Sequence, residues 1–335
     1  MFKTKYAHVE FSEKQLKRML FLITVFTLLL SEQFLFSYPQ SFDDYSANQV
    51  PLANYGLAFY VDVNVSEAKR MIEANLNLVI LDVRTREEYE NEGHIENAVL
   101  IPVDELAGRI SELDKEKETL VYCRAGGRST TASEMLVAKG FKAVYNMLGG
   151  IRAWISAGYW IEIMHAGDLS IGESQAFAIE NCTYIQAGNI TVEDNATLVI
   201  RNAKLFMNMT QGWEHSIHVQ NSSTLTVERS EIASAKDFAI NASDTAAINV
   251  LNSEIPFCIL SCRGESKLYV VNSSIHHLLC SDHSEISVTI NSTIEIVSLT
   301  NNVKSSLFDS KIVILELYDF QGTLSLEKVS LLYKE

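Results

Sequence analysis

Thr119-Leu-Val-Tyr-Cys-Arg-Ala-Gly-Gly-Arg-Ser129 decides the fold of the first half of this chain. Thr119 to Tyr122 reads as a buried strand that runs straight into Cys123. A tight loop with two glycines and two arginines follows, and a helix is expected to open at Ser129. A thiol at the C-terminal end of a strand, facing a helix N-terminus, sits where α/β folds gather reactive groups. Amides of such a loop converge on the enclosed sulfur and favour thiolate over thiol, and Arg124 and Arg128 are expected to do the same. The alternative is a buried structural cysteine, against which stand two glycines and two cations in the five residues that follow.

The same alternation extends outward on both sides. Phe59–Val63 reads as a short strand, and Ser66 is expected to cap an amphipathic helix that buries Ala68, Met71, Ile72 and Leu76. Leu78-Val-Ile-Leu81 is continuously apolar, as in a strand covered on both faces, and it ends at Asp82-Val-Arg84. Thr85 caps a predicted helix Arg86–Glu92, Val99–Ile101 is the next strand, and a helix through Leu106, Ile110 and Leu113 leads to the Cys123 strand. Beyond the loop come a helix ending before Gly140, a strand from Val144, a Gly149-Gly150 turn and a helix Ile151–Ala157 with Trp154 as core. Strands and helices in this order specify an α/β domain with a parallel sheet, residues 60–163.

Four stretches carry a resemblance: Leu81-Asp-Val-Arg-Thr-Arg-Glu-Glu-Tyr89, Glu92-Gly-His-Ile95, Cys123-Arg-Ala-Gly-Gly-Arg-Ser129 and Gly149-Gly-Ile-Arg-Ala-Trp154. In order and spacing they resemble a single-domain rhodanese. The resemblance implies a sulfurtransferase in which Cys123 takes a sulfane sulfur from a donor such as thiosulfate. The persulfide then hands it to an acceptor such as cyanide or a thiol, with no cofactor. Loop residues Arg124, Ala125, Gly126, Gly127, Arg128 and Ser129, with the Thr130 hydroxyl, are candidates to cradle the donor, a small anion. Asp82 and Arg84 either border the pocket or pair to fix the loop. His94 is expected to be structural, and Asn97 replaces a glycine that the family often has there. Related phosphatases have a longer C-x5-R loop, so the C-x4-R spacing from Cys123 to Arg128 favours sulfur over phosphate. No second cysteine lies in this domain, so the acceptor thiol must be external.

From about residue 164 the helical signals vanish and a repeat begins. Aligning Ala203, Ser230, Ser253, Ser273, Ser292, Ser310 and Val329 gives a near-constant step of short alternating strands. That period indicates a β-solenoid over residues 164–335, resembling a right-handed parallel β-helix of the pectate-lyase type, with a β-sandwich as the alternative. Inward Leu, Ile and Val would stack, and recurring Asn-Ser pairs would turn the corners. Asn-x-Ser/Thr acceptor sites stand at Asn64, Asn181, Asn189, Asn195, Asn208, Asn221, Asn241, Asn272 and Asn291. Cys258, Cys262 and Cys280 lie near His276, His277 and His283. Their spacing matches no standard zinc pattern, so no metal is expected; a cross-coil disulfide or buried thiols fit better. The solenoid is expected to contact a glycan, an envelope component or a protein partner.

Residues 1–18 are basic, and Met19–Leu30 is an unbroken apolar run within a segment 19–38 that reads as a signal peptide or membrane anchor, followed by a linker, 39–59. The expectation is an exported chain, membrane-anchored or at the cell surface. A net charge of −15 with no basic stripe argues against nucleic acid as a partner. From another functional class, the rhodanese-like half is a binding or redox-sensing module and the solenoid carries the main role.

Overall fold

The computed structural model describes residues 60–334, so the basic and apolar N-terminal segments and the linker lie outside the described residues. The first half is a five-stranded parallel sheet in the order β1-β5-β4-β2-β3. Its strands are β1 (Val61–Val63), β2 (Val79–Asp82), β3 (Val99–Leu100), β4 (Thr119–Tyr122) and β5 (Val144–Met147). Alternate residues of the central strands face opposite ways. Ile80, Leu120, Tyr122 and Met147 pack with Ile151 and Trp154 on one face. Leu81 and Val121 pack with Ile101, Leu106, Ala132 and Leu136 on the other, which is why these runs are apolar without interruption.

The helices between them are α1 (Val65–Ala74), α2 (Arg86–Asn91), α3 (Leu106–Arg109), α4 (Gly127–Ala138) and α5 (Gly150–Ser156). Two local expectations are corrected. The cap of α1 is Asn64, not Ser66: Asn64 Oδ1 accepts from the Ser66 and Glu67 amides at 3.0 Å, and Glu67 Oε2 accepts back from the Asn64 amide. The helix ends at Ala74, with Asn75 as its C-cap, and Leu76 lies beyond it, 97% exposed instead of buried. The helix expected through Leu106, Ile110 and Leu113 is one α-turn followed by a 3-10 turn, Ile110–Glu112. Asn97 adopts a left-handed φ of 62°, which Asn tolerates better than most side chains.

The second half is a parallel solenoid. Strand β6 (Ile161–Ala166) pairs in parallel with Cys182–Ala187, so the solenoid sheet begins at 161, inside the stretch expected to close the α/β domain. Every later strand pairs in parallel with its counterparts one coil away, and the register links Ser292 to Ser310 and Lys204 to Glu231, in keeping with the repeat alignment. Early coils make three separate strands. From Glu254–Cys262 onward two of them fuse into one long strand bent at Phe257, whose φ is 58°.

One corner of each coil holds a left-handed residue, among them Asn202, Asn252, Asn272, Asn291 and Asp309. The serine after it turns inward and joins a buried ladder. The Ala203 amide donates to Ser230 Oγ, Ser230 to Ser253 Oγ, and Ser253 to Ser273 Oγ, at 3.0–3.1 Å. Each hydroxyl in turn donates to a carbonyl of its own coil, as Ser253 does to Leu251 at 2.8 Å. Asn side chains form a parallel ladder outside, Asn272 Nδ2 donating to Asn252 Oδ1 at 2.9 Å. Ser253→Ala would leave the buried Ser230 amide unpaired, and we expect it to lower unfolding free energy by about 1–3 kcal/mol in urea titrations. Ser→Ala at exposed Ser222 should leave it unchanged.

Candidate active site

Cys123 follows β4 directly and is buried, with 1% of its surface exposed. Helix α4 starts at Gly127, two residues before the expected Ser129, because Gly126, at φ 115°, makes the turn and serves as its N-cap. The first helical amides thus come closer to the sulfur. The Gly126 amide donates to Cys123 Sγ at 3.1 Å. Burial pushes the thiol pKa up, but the Ser129 hydroxyl and the Ser129, Gly126 and Ala125 amides outweigh it, leaving Cys123 below the ordinary thiol value. The other cysteines supply the contrast. Burial raises Cys182 to about 11 and pushes Cys258 and Cys280 up as well, with no comparable set of donors. The Ser129 and Thr130 hydroxyls also lie 2.9 and 3.1 Å from the Gly126 carbonyl, which pins the loop to the helix it starts.

A second helix supports the loop from below. The Ile151 and Arg152 amides of α5 donate to the Cys123 and Arg124 carbonyls at 2.9 and 3.2 Å. Gly150, at φ 59°, permits this approach: a Cβ there would overlap the Cys123 carbonyl oxygen. The Gly149-Gly150 pair, expected only as a turn, is a packing requirement of the loop.

The arginines do something other than expected. Arg128 forks onto Glu88 of α2 with bonds of 2.6 and 2.7 Å, and Arg124 meets Glu92 at 3.1 Å. Each guanidinium is thus paired with a carboxylate instead of standing as an isolated charge, while Arg128 stays in electrostatic reach of the Cys123 sulfur. Neither Glu88 nor Glu92 stood out in the sequence. Their only signal is the dense acidic content of Glu87-Glu88-Tyr89-Glu90-Asn91-Glu92 beside a loop with two cations.

Asp82 and Arg84 are fully buried and pair with each other through bonds of 2.7–3.0 Å, Arg84 Nη2 also donating to the Gly93 carbonyl at 2.6 Å. They fix the backbone beside the loop. His94 stacks on Tyr89 with ring centroids 3.7 Å apart, and burial lowers its pKa, so the ring is neutral and structural. The histidines and cysteines of the solenoid do not form a site. His276 faces Glu295 and His277 faces Ser298, Cys258, Cys262 and Cys280 are buried thiols, and among the described residues no group of three or more His, Cys, Asp or Glu could hold a metal.

The site is thus a sheet-end cysteine inside a loop of converging amides, on an α/β domain with a five-stranded parallel sheet. The Rhodanese-like domain family matches residues 64–157, and the chain belongs to the rhodanese-like family through this domain. It is 38% identical over 95 residues to thiosulfate sulfurtransferase GlpE of Coxiella burnetii, covering 28% of this chain and 87% of that protein. It is 35% identical over 109 residues to thiosulfate sulfurtransferase 18 of Arabidopsis thaliana, covering 28% and 78%. Against YrkF of Bacillus subtilis, 37% identical over 93 residues, it spans half of the relative's length. Among solved structures, a rhodanese-related protein from Thermoplasma volcanium is 33% identical, covering 30% of this chain and 97% of that one, with a TM-score of 0.28. The two relatives named sulfurtransferases, each covered over more than three quarters of its length, put the domain in the sulfurtransferase class.

Two outcomes are expected. The ultraviolet thiolate absorbance that disappears in Cys123→Ser should titrate below the ordinary thiol range, and Ser129→Ala should move it upward. Glu88, whose carboxyl Arg128 holds at about 2 against an ordinary 4.5, stabilises the folded state fully above the ordinary value. That contribution is lost as the pH falls from about 4.5 through about 2. Glu88→Gln should therefore lower stability at neutral pH and flatten its decline over this acid window, read by urea unfolding at each pH.

Proposed function

We propose that this chain is a sulfurtransferase that moves a sulfane sulfur, from a donor such as thiosulfate, through a persulfide on Cys123 to cyanide or a thiol. The observation that carries this reading is the fully buried Cys123 thiol whose pKa is lowered by loop amides while burial raises its counterparts in the solenoid. The Cys123 thiolate attacks the outer sulfur of thiosulfate, a new S–S bond forms, the donor S–S bond breaks, and sulfite leaves with the electron pair. The acceptor's nucleophile then attacks the outer sulfur of the persulfide, and Cys123 departs as thiolate. The amides from Arg124 to Ser129 favour a sulfur anion at both stages, and Gly126 and Gly127 leave room for the added atom. The weaker alternative, a C-x5-R-like phosphatase, loses ground, because the arginine that would clasp a phosphoryl group is already bonded to Glu88.

We also propose that the segment 19–38 carries both domains across a membrane and leaves the solenoid free to meet a glycan, envelope or protein partner; its support is the basic-then-apolar sequence. Among the described residues, no helix is long and apolar enough to cross a membrane. A binding or redox-sensing role is the second reading, favoured by the pairing of both loop arginines.

Incubation of the full chain with thiosulfate should add one sulfur atom to its intact mass, removable by cyanide, and Cys123→Ser should abolish the gain. A wild-type chain that gains no sulfur from thiosulfate or from a persulfide donor would leave the binding role standing instead.

A further inference from the structure

The two loop arginines are held differently. Arg128 is clasped by Glu88 in a two-bond fork, and Glu88 is only 16% exposed. Arg124 makes one contact with Glu92, at 3.1 Å, and the two side chains are 43% and 39% exposed. Glu92 also lies 3.9 Å from Arg84 Nη1. Arg84 Nη1 and Arg124 Nε are both buried without a hydrogen-bond partner. One carboxylate thus stands between two guanidinium groups, and an anion arriving at the exposed end of Arg124 would compete with it.

The backbone under Glu92 is fixed. It is the C-cap of α2, and the next residue, Gly93, has a φ of 79° and a Cβ position already filled by Ile161 and Ile163 of the solenoid. The His94 and Glu162 amides and carbonyls exchange two bonds of 2.8 Å immediately beyond. The first solenoid strand therefore holds Glu92 in place opposite Arg124.

We propose that Glu92 is a specificity-determining residue. By occupying Arg124 it sets the Cys123 site against small dianionic donors, and toward donors whose sulfane sulfur lies beside a positive charge, such as an aminothiol persulfide. The inference rests on the sulfurtransferase reading above. With an aminothiol persulfide the thiolate takes the outer sulfur as the donor S–S bond breaks, and the donor leaves as its thiol, taking up the persulfide proton.

The test is single-turnover persulfide formation in the full chain, with thiosulfate and with cysteamine persulfide, in wild type, Glu92→Gln, Arg124→Gln and the double variant. Glu92→Gln should lower the half-saturating thiosulfate concentration by about two- to fivefold, the range of an exposed ion pair, with little change in the maximal rate. It should raise half-saturation for cysteamine persulfide, and in the Arg124→Gln background the thiosulfate effect should vanish. Glu92→Asp, whose shorter chain weakens the pair but keeps the charge, should fall between. Unchanged thiosulfate half-saturation in both Glu92 variants, in a wild type that does form persulfide, overturns this proposal alone. A wild type that takes sulfur from neither donor overturns the sulfurtransferase reading with it.

Discussion

The ion pair of Arg84 with Asp82 is the point on which the site depends. Both side chains are fully buried at the C-terminal end of β2, and the guanidinium reaches past its partner to the Gly93 carbonyl. A buried pair of this kind is no proof of stability, because desolvation of two charges offsets much of their attraction. Its consequence is positional. It ties the end of β2 to the far end of α2, and α2 carries Glu88 and Glu92 to the two loop arginines. Loss of either partner would leave an uncompensated charge beneath the Cys123 loop, a change that costs about 3–5 kcal/mol in comparable cases.

The same turn joins the two halves of the molecule. Strand β6 has a solenoid neighbour on one side only, and an unpaired edge of a parallel sheet is a template for unwanted pairing. The residues Gly93-His94-Ile95 meet that edge, with His94 and Glu162 bonded backbone to backbone. The Trp160 indole N–H adds a bond to Thr183, and Trp154 donates to the Trp160 carbonyl. The α/β domain is therefore the cap of the solenoid as well as the carrier of the cysteine, and the element that does both is the one Arg84 holds.

What could be read from the sequence follows the range of the interactions. The period-two strands, the coil repeat and the glycine-bounded loop are local patterns, so the parallel sheet and the solenoid were legible, as was the cysteine's place at a strand end. The partners of Arg124 and Arg128 lie 32 and 40 positions upstream, and no local pattern says which of several nearby carboxylates the fold will bring to them. Without those partners the arginines look like free cations. The α1 cap misled for a related reason: Asn64 and Ser66 are both good caps, and the reciprocal bond from Glu67 decides between them. Gly150 shows the limit from another side, since its need for a bare Cα comes from the Cys123 carbonyl packed against it.

The electrostatics of the loop then rest first on dipoles, with the paired Arg128 as a further contribution. With Arg128 and Arg124 compensated, what lowers the Cys123 pKa is the set of amides at the start of α4 and the Ser129 hydroxyl, fixed by the Gly126 turn and the α5 amides beneath. Preorganised dipoles of this sort need no counter-charge to favour an anionic sulfur. Charge selection is thereby separated from thiolate formation. The amides set how reactive the sulfur is, while the carboxylates of α2 set which anions can approach it, and the solenoid strand against Gly93 holds the second of these without touching the first.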